Sequence, residues 1–293
     1  MTRSEEIEES IMTTYRHKIW SKFMAAINTY QLILPGDKVC VCISGGKDSN
    51  LMAECLKLYD RYKNKDHSFE VKFLVMDPGY NPINRQIIES NLKTLDIPAK
   101  IVETDIFSVA NSQTQSPCYL CAKMRRGALY RLAKEMGCNK IALGHHYDDV
   151  IETVLMNLLN AGSFQTMLPK LHSDHYEGME VIRPLYFIRE ADIIAWRNYN
   201  KLRFIQCACR FTENCAICDN GGGGSRRAYT KQLIKELSKV NPQTEKNLFA
   251  ASENVVLDKV LGYKYKGKHI SYLDTYEEGD ILDPSKIDSE EKK

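Results

Sequence analysis

The stretch that most restricts the fold runs from Val39 to Leu56 and reads VCVCISGGKDSNLMAECL. It begins with an uninterrupted apolar run, Val39–Ile43, which is typical of a strand buried on both faces. The run ends in the turn SGGKDS, after which apolar residues recur at helical spacing. A glycine turn that opens a helix presents backbone N–H groups to an anion. The stretch therefore predicts a buried strand, a phosphate-binding turn and a helix.

Strand and helix patterns alternate along the rest of the chain. Apolar runs at VKFLVM, AKIV, KIALGHH and EVIRPL indicate strands, and helical patterns separate them. Residues 4–30 show the spacing of an amphipathic helix. The alternation predicts an α/β fold, with a parallel sheet of about five strands covered by helices, an N-terminal helix and a helical C-terminal extension.

Polar residues follow several predicted strands directly. The glycine turn follows the first strand, Asp77 the second, and Gly144 the fourth. Ligands of parallel sheets bind beyond the carboxyl ends of the strands. We therefore expect these residues to share one site, although they lie far apart along the chain.

Charge and hydropathy exclude some classes of protein. The formal net charge is only +2, so any basic surface for nucleic acid must be local. No apolar run approaches the length of a membrane span, and the N-terminal stretch carries charges where a signal peptide needs an apolar core. We expect a cytoplasmic protein without a membrane partner.

The ten cysteines need a reason. In the cytosol they serve more often as metal ligands, catalytic thiols or core residues than in disulfides. Four of them lie in or beside apolar runs and are expected in the core: Cys40, Cys42, Cys55 and Cys138. Six remain as candidates for chemistry: Cys118, Cys121, Cys207, Cys209, Cys215 and Cys218.

The turn SGGKDS does not match the common nucleotide-binding loops. A Walker loop needs glycine at position 41 and Ser or Thr after the lysine, where this chain has Val41 and Asp48. The dinucleotide pattern G-x-G-x-x-G is also absent from this turn. SGGKDS instead resembles the pyrophosphate loop of the ATP-pyrophosphatase superfamily, whose members adenylate a carbonyl oxygen and release pyrophosphate.

This resemblance implies a role for each residue of the turn. The phosphates would be cradled by Ser44, Gly45, Gly46 and Ser49. As catalytic residues, Lys47 would neutralise the departing pyrophosphate and Asp48 would help to hold Mg²⁺.

Five segments in order carry a closer resemblance: GDKVCVCISGGKDS, CYLCAKMRRGALY, KIALGHHYDDVIETVLMN, LPKLHSD and VIRPLYFIREADI. Together they are similar to the tRNA 2-thiocytidine synthase family over about residues 16–209. The resemblance implies a HUP or flavodoxin-like fold, ATP and Mg²⁺, a [4Fe–4S] cluster held by three cysteines, and tRNA as the acceptor. The C2 carbonyl of a tRNA cytidine would be adenylated, and sulfur would then displace AMP.

The same resemblance suggests further site residues. It favours nucleotide binding for Asp149, and the strand-end positions predict the same for Asp77 and Gly144. For Asp148 a helix-start charge and a ligand contact are equally favoured. His145 and His146 would line the site.

Three cysteines are assigned to the cluster by the resemblance, namely Cys118, Cys121 and Cys207. Cys207 would also lie at the point of sulfur transfer. Cys209 is an alternative third ligand, because this chain has Cys207-Ala208-Cys209 where the family has C-x-x-C.

Other readings of the sequence stay open. Two C-x-x-C pairs, at 118–121 and 215–218, would suit a closed Cys₄ zinc site in another ATP-dependent nucleoside-modifying enzyme. A non-catalytic ATP-binding or RNA-binding module is the third reading.

Two basic groups are either solvated helix faces or a tRNA footprint: Lys123, Arg125, Arg126 and Arg131, and Arg226, Arg227 and Lys231. A sulfur donor of unspecified identity and a second copy of the chain are further candidate partners.

We divide the chain into an N-terminal helical segment at 1–36, a nucleotide-binding domain at 37–203, a cysteine-bearing loop and helical region at 204–275, and an acidic tail at 276–293. Helices are expected at Arg226–Val240 and Gln243–Leu261, and a polar loop at residues 103–117.

Overall fold

A six-stranded sheet organises the molecule, and its order is β3-β2-β1-β4-β6-β5. The computed structural model describes residues 1–112, 117–205 and 226–276. The strands are β1 (Lys38–Cys42), β2 (Glu70–Asp77), β3 (Ala99–Glu103), β4 (Lys140–Ala142), β5 (Lys170–His172) and β6 (Glu180–Ile182). All neighbours pair in parallel except β5 and β6, which are antiparallel. The predicted parallel α/β sheet is confirmed, with one short antiparallel edge strand in addition.

Helices surround this sheet. They are α1 (Arg3–Met12), α2 (Ser21–Thr29), α3 (Lys47–Lys63), α4 (Pro82–Thr94), α5 (Ile106–Asn111), α6 (Pro117–Glu135), α7 (Tyr147–Ala161), α8 (Glu190–Tyr199), α9 (Arg226–Val240) and α10 (Thr244–Ala251). Among the residues in these ranges, no helix is both long and apolar enough to cross a membrane.

The predicted N-terminal helix is present but interrupted. A π-helical turn, Arg16–Trp20, separates α1 from α2. The Tyr15 amide donates to the Ser10 carbonyl at 2.8 Å, five residues back, which widens the turn. Because the apolar face continues through this turn, Ile11, Ile19 and Phe23 all remain fully buried.

Two local predictions were wrong. Residues 103–117 were expected to be a loop, yet they contain α5, whose Ile106 and Phe107 are buried. The helix expected to reach Leu261 ends at Ala251, and β7 (Gly262–Tyr265) and β8 (Lys268–Ser271) follow as an antiparallel hairpin. In both places the apolar spacing was too short to fix the type of element.

The four cysteines expected in the core lie there. Cys40, Cys42, Cys55 and Cys138 are all buried, and none forms a disulfide. Burial raises the pKa of the Cys55 thiol well above its ordinary value, so this side chain packs as a neutral group. These cysteines therefore contribute to packing.

A buried cluster of charges joins α3 to α1. Glu54 is fully buried, and its Oε1 lies 3.2 Å from Nζ of Lys57. Lys57 also contacts Glu8 at 2.9 Å, and Arg61 pairs with the same Glu8. Burial raises the pKa of Glu54 to about 8, despite the opposing field of Lys57. Lys57 and Arg61 thus anchor α1 through Glu8, and the buried Glu54 lies beside this contact as an acid whose charged form is disfavoured.

We expect Glu54→Gln to change how stability depends on pH. From about pH 4.5 to pH 8 the folded wild type holds a proton that the unfolded chain has released, so its free energy of unfolding falls as pH rises. The variant lacks this proton, so its urea-unfolding curves should vary less over that range. Glu9→Gln, at an exposed position, serves as the control. Equal pH dependence in Glu54→Gln and wild type would contradict the assignment.

Candidate active site

The segments that follow β1, β2 and β4 meet at one edge of the sheet, as predicted. The Tyr80 hydroxyl, after β2, donates to the Ser44 carbonyl at 3.2 Å. A Cβ on Gly144, after β4, would lie 3.0 Å from the Ser49 backbone nitrogen. The glycine at 144 therefore lets the exit of β4 approach the first turn of α3, and contact with a nucleotide stays a prediction.

Gly45 is fixed as glycine by both conformation and space. Its φ is +85°, in the left-handed region. A Cβ there would lie 2.7 Å from Ile205 Cδ1 and 2.7 Å from Ile88 Cγ1. The Ile205 amide also donates to the Gly45 carbonyl at 3.3 Å. The turn is thus clamped between α4 and the chain beyond α8.

The first turn of α3 is suited to an anion. Gly46 occupies the N-cap position and supplies no side-chain acceptor to the helix N–H groups. The Ser49 hydroxyl accepts from the Ser44 amide and donates to the Gly46 carbonyl, both at 3.1 Å. The two serines therefore hold the turn in shape. The amides at the helix start are left to bind phosphate, which fits the expected pyrophosphate loop.

A carboxylate from α8 links two lysines beside the turn. Lys47 Nζ lies 3.1 Å from Asp48 Oδ2 and 3.1 Å from Glu190 Oε1. The other oxygen of Glu190 binds Lys231 of α9. Burial alone would raise the pKa of Glu190, but hydrogen bonds from Lys231 and Lys47 lower it to about 2. Burial opposes the charge on Lys47, yet Asp48 and Glu190 raise its pKa, so the ammonium group persists.

Asp48 has the geometry expected of a partner for a cation. Its Oδ1 is buried and accepts no hydrogen bond from the described residues. His146 Nε2 lies 3.8 Å from that oxygen. In the described ranges, no three His, Cys, Asp or Glu side chains are arranged to hold a metal by themselves. Mg²⁺ commonly binds through one or two carboxylates together with substrate phosphates, and Asp48 fits that mode.

Asp148 and Asp149, at the start of α7, are both paired with arginines. Asp148 Oδ1 lies 3.0 Å from Arg189 Nη2, and its Oδ2 accepts from the Glu190 amide at 2.7 Å. Asp149 Oδ1 lies 2.6 Å from Arg227 Nη1, and its Oδ2 accepts from the His146 amide at 3.0 Å. Both aspartates fix the position of neighbouring segments. A further role of Asp149 towards the nucleotide stays a prediction.

Two titratable groups near α7 have strongly displaced pKa values. Burial, followed by the charge of Arg183, lowers the pKa of His145 to about 4. Burial raises the pKa of Glu152 to about 7, although Arg227 lies 3.4 Å away and acts against this shift. His145 is therefore neutral near pH 7, and Glu152 exchanges a proton there.

Asp77 lies at the predicted edge, but its oxygens already have partners. Oδ1 accepts from the amides of Gly79 and Tyr80, at 2.8 and 2.7 Å. Oδ2 pairs with Arg85 at 2.7 Å. In this structure Asp77 shapes the turn after β2, and its predicted contact with the nucleotide stays a prediction.

The predicted cysteine centre is described only in part. Cys121 is buried in α6. Cys118 belongs to the first turn of the same helix, but its side chain lies outside the described residues. Positions 207, 209, 215 and 218 lie in the undescribed range 206–225. Both the cluster and the zinc alternatives thus stay predictions at the level of individual ligands.

Arg227 and Lys231 have a role that the sequence pattern did not reveal. The sequence allows a solvated helix face or an RNA footprint for both, yet in the structure α9 brings both to carboxylates of the site. Arg189 and Glu190 were missed, although they lie in the segment VIRPLYFIREADI that carried the resemblance. Their adjacency at the start of a helix was the available signal.

The PP-loop domain family matches residues 16–210, which is most of the chain and includes the glycine turn. The chain belongs to this family. The resemblance of SGGKDS to a pyrophosphate loop is thereby confirmed.

Curated relatives in the same family are named tRNA-cytidine(32) 2-sulfurtransferase. The protein of Geotalea uraniireducens is 35% identical over 265 residues, covering 88% of this chain and 99% of the relative. That of Neisseria meningitidis serogroup C is 33% identical over 259 residues, covering 87% of this chain and 76% of the relative. The match therefore extends beyond the PP-loop domain.

Among solved structures, a U34-tRNA thiolase from Methanococcus maripaludis, determined with its [4Fe–4S] cluster, is similar to this chain. Its TM-score is 0.61 at 20% identity, and the match covers 90% of this chain and 88% of the thiolase. The likeness confirms the fold.

We expect Glu190→Gln to tighten the binding of inorganic pyrophosphate several-fold. The carboxylate of Glu190 competes with phosphate for Lys47 and Lys231, and glutamine removes the competing charge. Isothermal titration calorimetry measures the change. Glu253→Gln, at an exposed acid, is the control. Weaker binding in Glu190→Gln would mean that Glu190 orients Lys47 for phosphate instead.

Proposed function

We propose that the chain is an ATP-dependent tRNA sulfurtransferase that replaces the C2 oxygen of a tRNA cytidine with sulfur. The observation that carries this proposal is the glycine turn clamped at the start of α3, with Lys47 and Asp48 beside its open amides. The names of the curated relatives support the acceptor and the reaction, and they suggest cytidine 32 as the modified position.

The first chemical step is adenylation. The C2 carbonyl oxygen attacks the α-phosphorus of ATP, and the bond to the bridging oxygen of pyrophosphate breaks. The amides at the start of α3 and the ammonium of Lys47 stabilise the negative charge that develops on pyrophosphate. Asp48, through its unbonded Oδ1, would hold Mg²⁺ against the phosphates.

The second step exchanges oxygen for sulfur. A sulfur atom at the oxidation level of sulfide attacks C2, and AMP departs with the former carbonyl oxygen. A [4Fe–4S] cluster, when bound, supplies an iron that can carry the incoming sulfur. We assign its ligands to Cys118, Cys121 and Cys207, the three positions that the family resemblance selects.

The course of the chain supports this assignment. The described chain stops at Ile205, whose amide donates to Gly45. It resumes at α9, where Arg227 binds Asp149 and Lys231 binds Glu190. The cysteine-bearing residues 206–225 are thus joined on both sides to segments fastened at the nucleotide end of the sheet.

The reaction requires a sulfur donor as a second partner beside tRNA. A second copy of the chain is a further candidate partner, and the cytoplasm is the expected compartment because tRNA is the acceptor.

Replacing either charged residue of the turn should abolish the chemistry. Lys47→Ala removes the cation that meets pyrophosphate, and Asp48→Asn removes the charge that meets Mg²⁺. We expect tRNA-dependent release of AMP to fall by at least about 100-fold, the usual size of such losses. Lys65→Ala, at an exposed position outside the site, should keep wild-type rates. Wild-type turnover in Lys47→Ala would remove the pyrophosphate-loop assignment.

The cysteine assignment predicts a pattern across serine variants. Cys118→Ser, Cys121→Ser and Cys207→Ser should each lose bound iron and 2-thiocytidine, because a cluster with two protein thiolates is under-ligated. Cys215→Ser and Cys218→Ser should retain both. Iron, sulfide and zinc analysis of anaerobically purified protein gives the readout, together with mass spectrometry of tRNA nucleosides.

Two other patterns would change the assignment. Iron retained in Cys207→Ser but lost in Cys209→Ser would move the third ligand by two residues. Zinc without iron, dependent on Cys215 and Cys218, would replace the cluster by the closed Cys₄ site.

A further inference from the structure

The C-terminal hairpin has a well-defined geometry. Tyr263 pairs with Ile270, Lys264 with His269 and Tyr265 with Lys268 in the antiparallel register. The two strands are joined by Lys266-Gly267, whose φ values are +47° and +81°. Two consecutive positive φ angles are the mark of a type I′ turn, which matches the twist of a two-stranded ribbon.

Its charge is concentrated and of one sign. Residues 262–271, the hairpin itself, read GYKYKGKHIS and contain three lysines, one histidine and no acidic residue. The net charge of the whole chain is only +2, so this ten-residue segment carries more positive charge than the chain as a whole. Lys264, Lys266 and Lys268 are all exposed. The hairpin is therefore a local basic surface of the kind that the low net charge of the chain requires for binding nucleic acid.

The hairpin is not explained by packing. No residue from 262 to 271 belongs to the buried apolar core. A two-stranded hairpin alone is marginally stable in water, so a ligand that binds its exposed lysines would stabilise it.

Tyrosines are interleaved with the lysines. Successive residues of a strand point to opposite faces, so Tyr263 and Tyr265 share one face, and Lys268 lies opposite Tyr265 on the paired strand. The ammonium of Lys266 lies 5.4 Å from the centre of the Tyr265 ring. Lysines that meet phosphates and aromatic rings that stack on bases or riboses are the combination used to bind RNA.

We propose that the β7–β8 hairpin is an RNA-binding arm that grips the sugar–phosphate backbone of the tRNA. This inference rests on the proposed function for the identity of the RNA. The hairpin lies beyond residue 210, where the match to the PP-loop domain ends, so it would add affinity for RNA to the domain that carries the glycine turn.

A triple variant tests the arm. Lys264→Gln, Lys266→Gln and Lys268→Gln together remove three phosphate contacts and keep the side chains polar. The Kd for bulk tRNA, measured by fluorescence anisotropy at several salt concentrations, should rise about tenfold at 50 mM salt. The slope of log Kd against log salt should fall by about 2, from ~0.7 per contact on single-stranded RNA.

The matched control removes the same charge elsewhere. Lys63, Lys65 and Lys93 are exposed lysines on or after α3 and on α4, and their triple glutamine variant should bind tRNA like the wild type. A triple arginine variant of the hairpin should restore binding, because it restores the charge. Pyrophosphate binding should be the same in all of these proteins, which shows that the nucleotide site remains folded.

Distinct outcomes overturn the proposal. An unchanged salt slope in the hairpin triple, or an equal loss in the control triple, would show that the arm does not contact RNA specifically. Binding to phosphatidylserine vesicles that is lost in the hairpin triple, with tRNA binding intact, would assign the arm to a membrane surface. Absence of tRNA-dependent AMP release in the wild type would instead overturn the proposed function, while a reduced slope would still identify an RNA-binding arm.

Discussion

The close approach of backbone at Gly45 and Gly144 is the constraint on which the site depends. A methyl group would collide with Ile205 and Ile88 at Gly45, and it would crowd the backbone of the first turn of α3 at Gly144. This closeness keeps the amides of the α3 N-terminus aimed at one small volume. The strands after which these glycines lie are adjacent and parallel, so the topology of the sheet brings them together.

Electrostatic pairing then connects the turn to distant parts of the chain. Glu190 couples Lys47 to Lys231, and Arg227 couples α9 to Asp149. Such partly buried ion pairs contribute little net stability, because desolvation offsets attraction. They do fix which charges face the ligand, and phosphate can replace a carboxylate as the partner of each lysine. The network therefore holds Lys47 and Lys231 where they can bind an anionic ligand.

The strands, the parallel sheet and the position of the site could be predicted from the sequence, because local patterns of residues indicate them. The uninterrupted apolar run before SGGKDS indicated β1, and the order of strands and helices indicated a parallel sheet with its site at the carboxyl edge. The contacts of Glu190 with Lys231 and of Arg227 with Asp149 could not be predicted, since they join residues 41 and 78 positions apart. The hairpin was missed because its strands have only four residues each, GYKY and KHIS, and carry little apolar pattern.

The late position of α9 has a consequence for synthesis. A chain emerging from the ribosome folds from its N-terminal end, and the sheet strands are all complete by residue 182. Until α9 follows, Asp149 and Glu152 lack Arg227, and Glu190 has Lys47 but not Lys231 as its partner. The charges of the site are therefore fully paired only after α9 has been made and has docked on α7 and α8.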